Sequence, residues 1–257
     1  MVKNRDNDFE LPTREERLAA RERPDGTPVM HQSWDKLIFI NWEISAEEVR
    51  KLIPEPLKID TYDGKAWITI TPLTIYDVRP SFLPALPYVS WLHELNLRTY
   101  VHYDGVPGVW FFSLDANNLP AVLAARLLFK LPYFSAEIDM DCSADQVRFS
   151  SKRSEGKADF SAKWTMGASM PPAKPGSLEF FLTERYSLYT ADTDSIYRCR
   201  INHVPWPLQV SSTFSGLSSS IEEAAGLPTL NGEPILYCGG PVDVDVWPLE
   251  KVAEAVR

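Results

Sequence analysis

The chain has 257 residues, 44% hydrophobic and 12% aromatic, with a net charge of −9, which suits one globular domain with a sizeable core and excludes disordered and fibrous classes. The acidic balance, without a basic run interleaved with aromatics, argues against nucleic acid as a partner. No apolar run approaches the roughly 18–20 residues that cross a bilayer, so no membrane partner is expected, and the three scattered cysteines, Cys142, Cys199 and Cys238, fit a reducing, cytoplasmic setting rather than a disulfide framework or a thiolate zinc site.

Residues 1–27 carry charges of both signs and read as an arm. Within it Thr13-Arg-Glu-Glu16 has capping-box spacing ahead of Arg17 to Ala20, which predicts a short surface helix. Residues 28–257 read as a single domain. Ser45-Ala-Glu-Glu48 starts a brief helix that Pro54 stops. Asp63-Gly64 lies between two β-rich runs, 57–62 and 66–70, and Asp104-Gly105 between 97–102 and 109–112; Asp-Gly supplies the positive φ angles of a tight hairpin. Asn117 or Asn118 caps a longer helix that runs to Lys130, with Pro120 in its first turn and Pro132 beyond its end. A third hairpin turns at Glu155-Gly156, and Glu184, Arg185 and Tyr186 close a short helix. A fourth hairpin joins 185–189 to 196–201, Ser220 caps a short helix ending at Gly226, and Val242, Val244 and Val246 alternate with Asp243, Asp245 and Trp247 as in a strand. The fold class is therefore α+β: a mostly antiparallel sheet or β-barrel with a few flanking helices.

One strand carries the strongest chemical signal. Alternation over 93–101 sets Glu94, Asn96, Arg98 and Tyr100 on one face. On an open sheet that face meets solvent or holds structural ion pairs. In a small barrel it points inward and forms a recognition strip, where a planar guanidinium grips a carboxylate. Arg126, the sole charge between Asn117 and Lys130, is expected to be buried against the sheet with a carboxylate such as Asp115 or Glu94. His31 and His203 have no second histidine at metal-ligand spacing, so no metal is expected, and His203 is a candidate acid or base. GxSxG, GxxxxGK and GxGxxG are absent from the sequence, so acyl-enzyme, nucleotide and hydride chemistry have no support and no cofactor is expected.

Six segments in order resemble the YqjF-like family: His31 to Trp34, Leu92 to Val101, Pro107 to Asp115, Ala125 to Tyr133, Gly176 to Tyr186 and His203 to Gln209. The resemblance implies a barrel like that of acetoacetate decarboxylase, enclosing a polar site and commonly oligomeric. It also favours the inward reading of Glu94. In that decarboxylase a proline after a helix is followed by two lysines, the first of which forms an imine with substrate. The matching stretch here is Leu131-Pro132-Tyr133-Phe134, and neither Tyr133 nor Phe134 can form an imine. The expected catalytic set is Glu94, Tyr133 and His203, and the expected ligand-binding set is Arg98, Asn96, Arg126, Trp110 and Arg185.

Two function classes remain open. One is a cavity that binds or transforms a small oxygenated, anionic organic molecule such as a carboxylate, with Glu94 as acid or base and Arg98 as anion clamp. The other is a non-catalytic sensor or assembly protein in which the strip is structural and the aromatic loops around Trp34, Trp91 and Trp206 meet another subunit of a homo-oligomer. An enclosed cavity favours the first, and a barrel filled by side chains the second.

Overall fold

A computed structural model describes residues 11–87 and 89–255. In chain order the elements are α1 (Arg14–Ala19), β1 (Met30–Asp35), β2 (Leu37–Ile44), α2 (Ala46–Arg50), β3 (Lys58–Ile59), β4 (Ala66–Pro80), β5 (Trp91–Tyr103), β6 (Val106–Ala116) and α3 (Leu119–Phe129). There follow β7 (Tyr133–Ser143), β8 (Gln146–Arg153), β9 (Asp159–Ser169), α4 (Leu178–Thr183), β10 (Ser187–Ala191), β11 (Ser195–Asn202), β12 (Gln209–Ser219), α5 (Ile221–Ala224), β13 (Ile235–Gly239) and β14 (Val242–Glu254). Strands dominate as the turn chemistry predicts, and the few helices are short.

Local signals explain most boundaries. The capping box at Thr13 forms in full, with its hydroxyl accepting from Glu16 N and Glu16 reaching back to Thr13 N. Asn118 caps α3 by accepting from Ala121 N, and Lys130 ends the helix in the left-handed region at φ 53°. Asp104-Gly105 turns β5 into β6 with φ angles of 48° and 72°, as a type I′ hairpin requires. The Asp63-Gly64 turn departs from expectation: it closes only the Tyr62–Lys65 bridge, and β3 pairs with β5 instead of with β4. Adjacency in sequence does not decide pairing: β5 runs on past its ladder with β4, and His102 and Val101 there take Lys58 and Ile59.

All fourteen strands of the described residues join one sheet, which bends back on itself through the extra pairings β1–β4 and β5–β6. The pairings thus trace two circuits that share β4, β5 and β6. One runs β1-β14-β11-β10-β6-β5-β4, and the other continues from β6 through β7, β8, β9, β12, β13 and β2 back to β4. Most pairs are antiparallel, but β6 pairs in parallel with both β7 and β10. A parallel neighbour needs a crossover connection, and α3 supplies it between β6 and β7.

The shared strands are buried on both faces, and each face feeds a different apolar core. Ile38, Ile40, Ile68, Ile70, Leu95 and Leu97 join one core with Phe149, Phe160 and Trp164, whereas Leu37, Phe39, Leu73, Ile75, Leu92 and Tyr100 join the other with Cys199, Trp206 and Val244. Strand alternation therefore sends the face of Glu94, Asn96 and Arg98 into protein and not into solvent. The first helix is tied down as well: Arg17 donates twice to Asp60, at 2.7 and 2.6 Å, and Arg23 pairs with Asp245. Among the described residues no helix is long and apolar enough to cross a membrane.

Candidate functional site

A cavity of about 350 Å³ opens inside the seven-strand circuit, and each of its strands contributes to the wall. Thr71 comes from β4, Glu94, Asn96 and Arg98 from β5, and Phe111 and Leu114 from β6. Gln32 and Trp34 of β1, Leu188 of β10, Cys199 and Ile201 of β11 and Val246 of β14 complete the ring. The crossover brings Ala121, Ala124, Ala125 and Leu128 of α3 over one end, and Tyr133, at the start of β7, follows directly. The polar strip inferred from alternation is thus assembled in one place with Tyr133.

Glu94 is 4% exposed and its two oxygens are both engaged. Tyr133 donates its hydroxyl to Oε2 at 2.5 Å, and Asn96 Nδ2 donates to Oε1 at 3.4 Å. Burial pushes the Glu94 carboxyl from 4.5 up to about 7, and Asp115 adds to the rise, while the bonds from Tyr133 and Asn96 and the Arg98 charge pull it back. At neutral pH the group therefore populates both its protonated and ionised forms, the condition under which a carboxyl serves as acid or base. The Tyr133 phenol is held well above its ordinary value, first by burial and then by the charge of Glu94, so it remains a hydrogen-bond donor.

Arg98 is 8% exposed, yet among the described residues no carboxylate lies within ion-pair distance of it. Its one hydrogen bond runs from Nη2 to the Leu182 carbonyl at 3.3 Å, its Nε has no partner, and its guanidinium lies 5.1 Å from the centre of the Phe39 ring. Two neighbours are also unsatisfied: Thr71 Oγ1 and Asn96 Oδ1 are buried without partners, on residues directly opposed across the β4–β5 ladder. Buried polar groups are normally hydrogen-bonded, so three unpaired groups on one cavity wall mark a place for a ligand's polar atoms.

The remaining candidates lie elsewhere. Trp110 points to the opposite core, because Phe111 next to it takes the cavity face. Arg185 is buried in an ion pair with Asp60 at 2.6 Å, outside the cavity lining. Arg126 is exposed and donates to the Tyr133 carbonyl at 2.6 Å; the partner expected for it, Asp115, pairs instead with Arg153 at 2.8 Å. The α3 face that bears Arg126 is open to solvent, which removes the need for a counter-charge. His203 is buried and stacks on Tyr186 at 4.6 Å and beside Trp206 at 5.2 Å. Burial lowers its pKa, against the pull of its bond to the Val204 carbonyl, and its ring does not line the cavity. Trp206, expected at the surface, is 4% exposed and packs edge-on against Phe39. Thr71 and Gln32 were not among the candidates; the Thr69, Thr71 alternation on β4, facing Arg98 and Asn96, is the signal that points to Thr71.

Comparison with known proteins agrees with the fold. A family model, DUF2071, described as an uncharacterized conserved protein, matches residues 31–243. The uncharacterized protein YqjF of Bacillus subtilis is 39% identical over 229 residues, covering 89% of this chain and 94% of its own. Among solved structures, the enduracididine biosynthesis enzyme MppR complexed with pyruvate is similar with a TM-score of 0.61 at 9% identity, over 88% of this chain and 91% of that one. Acetoacetate decarboxylase from Legionella pneumophila is similar with a TM-score of 0.60 at 12% identity, over 99% of both chains. At such identities the likeness extends to the fold alone.

Proposed function

Because the chain belongs to the DUF2071 family and shares the acetoacetate decarboxylase-like fold, we propose that its cavity binds or transforms a small oxygenated, anionic organic molecule. Arg98 holds the anion, Glu94 serves as acid or base with Tyr133 as its donor, and no imine to lysine takes part. The observation that carries this reading is Arg98, a guanidinium buried in a cavity wall with an unpaired Nε and, among the described residues, no carboxylate within ion-pair distance. The other two buried arginines among the described residues, Arg153 and Arg185, have an aspartate at 2.8 and 2.6 Å respectively. No lysine lines the cavity among the described residues, which supports chemistry other than imine formation. The pyruvate in the MppR complex is in keeping with a carboxylate ligand in this fold class.

The test is a thermal-shift screen with small carboxylates and keto acids, followed by borohydride trapping. A ligand at about a hundred times its Kd stabilises the folded state by about 2.7 kcal/mol, an effect expected in the native protein and absent from Arg98→Met. Mass spectrometry is expected to find no lysine adduct after borohydride, and such an adduct would overturn the proposed mechanism.

A second reading, a non-catalytic sensor or assembly protein, is favoured by one feature: Leu119, Leu123, Leu127 and Leu128 of α3 are all exposed, Leu127 at 80%. An apolar helix face of this kind suits contact with a further copy of the chain. A monomeric mass by light scattering at micromolar concentration counts against it.

A further inference from the structure

The cavity has a pronounced asymmetry. Outside Gln32, Thr71, Glu94, Asn96, Arg98 and Tyr133, its wall consists of aliphatic and aromatic side chains, backed by one thiol at Cys199. Several polar groups are already occupied. Both Glu94 oxygens accept hydrogen bonds, and Gln32 Oε1 accepts from Trp34 Nε1 at 2.7 Å. The atoms left free, on Thr71, Asn96 and Arg98, sit close together because Thr71 and Asn96 are ladder partners and Arg98 is two residues further along β5. One carboxylate can accept from both Arg98 Nε and the Thr71 hydroxyl, whereas Asn96 Oδ1, itself an acceptor, takes no part in that contact. Beyond them, hydroxyls on a ligand's body would face Phe39, Phe111, Leu188, Ile201 or the alanines of α3 and lose hydrogen bonds to water without replacement.

We propose that the cavity selects monocarboxylic acids with an apolar body, the carboxylate seated on Arg98 and the Thr71 hydroxyl, and the hydrocarbon packed between the aromatic wall and the underside of α3. This rests on the anion-binding reading above and narrows it, since it sets aside sugar acids and other polyhydroxylated anions. At about 30 Å³ for each water-sized group, the volume holds roughly a dozen non-hydrogen atoms. That is the size of octanoate or 3-phenylpropanoate. A guanidinium fork matches two carboxylate oxygens in one plane, and an apolar lining makes affinity grow with each buried methylene.

Isothermal titration of the full chain with octanoate, 3-phenylpropanoate, pyruvate, gluconate and octanamide tests the assignment. The expected result is that octanoate and 3-phenylpropanoate bind at least roughly tenfold tighter than gluconate, pyruvate and octanamide. Arg98→Met should remove the advantage of octanoate over octanamide. Ala125→Phe, which fills the apolar end from a helix that is largely exposed, should block octanoate while the protein stays folded by circular dichroism. Tighter binding of gluconate or pyruvate than of octanoate overturns the apolar-acid assignment and leaves the anion site standing. Equal binding of octanoate and octanamide, unchanged by Arg98→Met, overturns the seating on Arg98. Failure of every acid to bind the native protein overturns both this assignment and the reading beneath it.

Discussion

Glu94→Gln offers the sharpest check on the electrostatics of the cavity. Burial holds the native carboxyl at about 7 against an ordinary 4.5, so the folded protein binds this proton more tightly than the unfolded chain does. The sign follows directly. The contribution is fully favourable below about pH 4.5, declines as pH rises through the window to about pH 7, and is constant above it. Its size is about 3 kcal/mol, from 1.36 kcal/mol for each tenfold change in acidity. Glutamine imitates the protonated form without titrating: its amide oxygen still accepts from Tyr133, and its NH₂ donates to Asn96 Oδ1 once the Asn96 amide, whose Nδ2 donates to Glu94 in the native protein, turns over. Urea unfolding of both proteins at several pH values between about 4.5 and 8 gives the two stability curves. The glutamine variant should gain about 3 kcal/mol on the native protein across that range. Parallel curves would refute the reasoning, because Glu94 would then ionise in the folded state as easily as in the unfolded chain.

Two further substitutions separate free charge from paired charge. Arg98→Met should leave the ligand-free protein as stable as before or up to about 2 kcal/mol more stable, since it replaces an unpaired buried cation with hydrocarbon; a loss of about 3 kcal/mol or more in urea unfolding would show that Arg98 is a structural partner after all. Asp60→Asn should cost about 3–5 kcal/mol, because Asp60 is fully buried and both Arg17 and Arg185 would be left without a counter-charge. Burial would raise the Asp60 carboxyl, but Arg185 and Arg17 outweigh it and hold the pKa below its ordinary value, so this contribution is present above about pH 4 and fades in acid. A loss below about 1 kcal/mol would mean that water enters the cluster.

Much of the fold was legible because it depends on short-range chemistry. The Asp104-Gly105 hairpin, the Thr13 capping box and the Asn118 cap each rest on residues within a few positions of one another, and each forms as read. The strip of Glu94, Asn96 and Arg98 was legible for a similar reason, since strand parity needs only one element. What failed needed tertiary knowledge. The partner of β3, the exposure of Arg126 and the burial of Trp206 are all set by which strand or loop arrives from elsewhere. Arg126 looked like a core residue because leucines surround it, but those leucines are themselves exposed, and no count of apolar neighbours in sequence distinguishes a helix packed on a sheet from one whose apolar face stays open.

The contrast among the buried arginines bears on why the strip exists at all. A strand buried on both faces is normally apolar throughout, as β2 is over Leu37 to Ile40. β5 instead places a carboxyl, an amide and a guanidinium in its buried face. Where this protein buries an arginine for structure, it provides an aspartate: Asp60 for Arg185 and Asp115 for Arg153. Glu94, four residues from Arg98 on the same face, is about 13 Å away along an extended strand at roughly 3.3 Å per residue, too far to pair directly, and it is engaged with Tyr133 and Asn96. Among the described residues, therefore, no carboxylate pairs with Arg98, which has only a carbonyl, an aromatic ring and the more distant charge of Glu94 for company, at a cost in folding free energy that a methionine or leucine at the same position would not incur. A sequence that carries such a cost in its central strand, beside a cavity and two further unpaired polar atoms, is best explained by a partner that arrives from outside and supplies the missing negative charge.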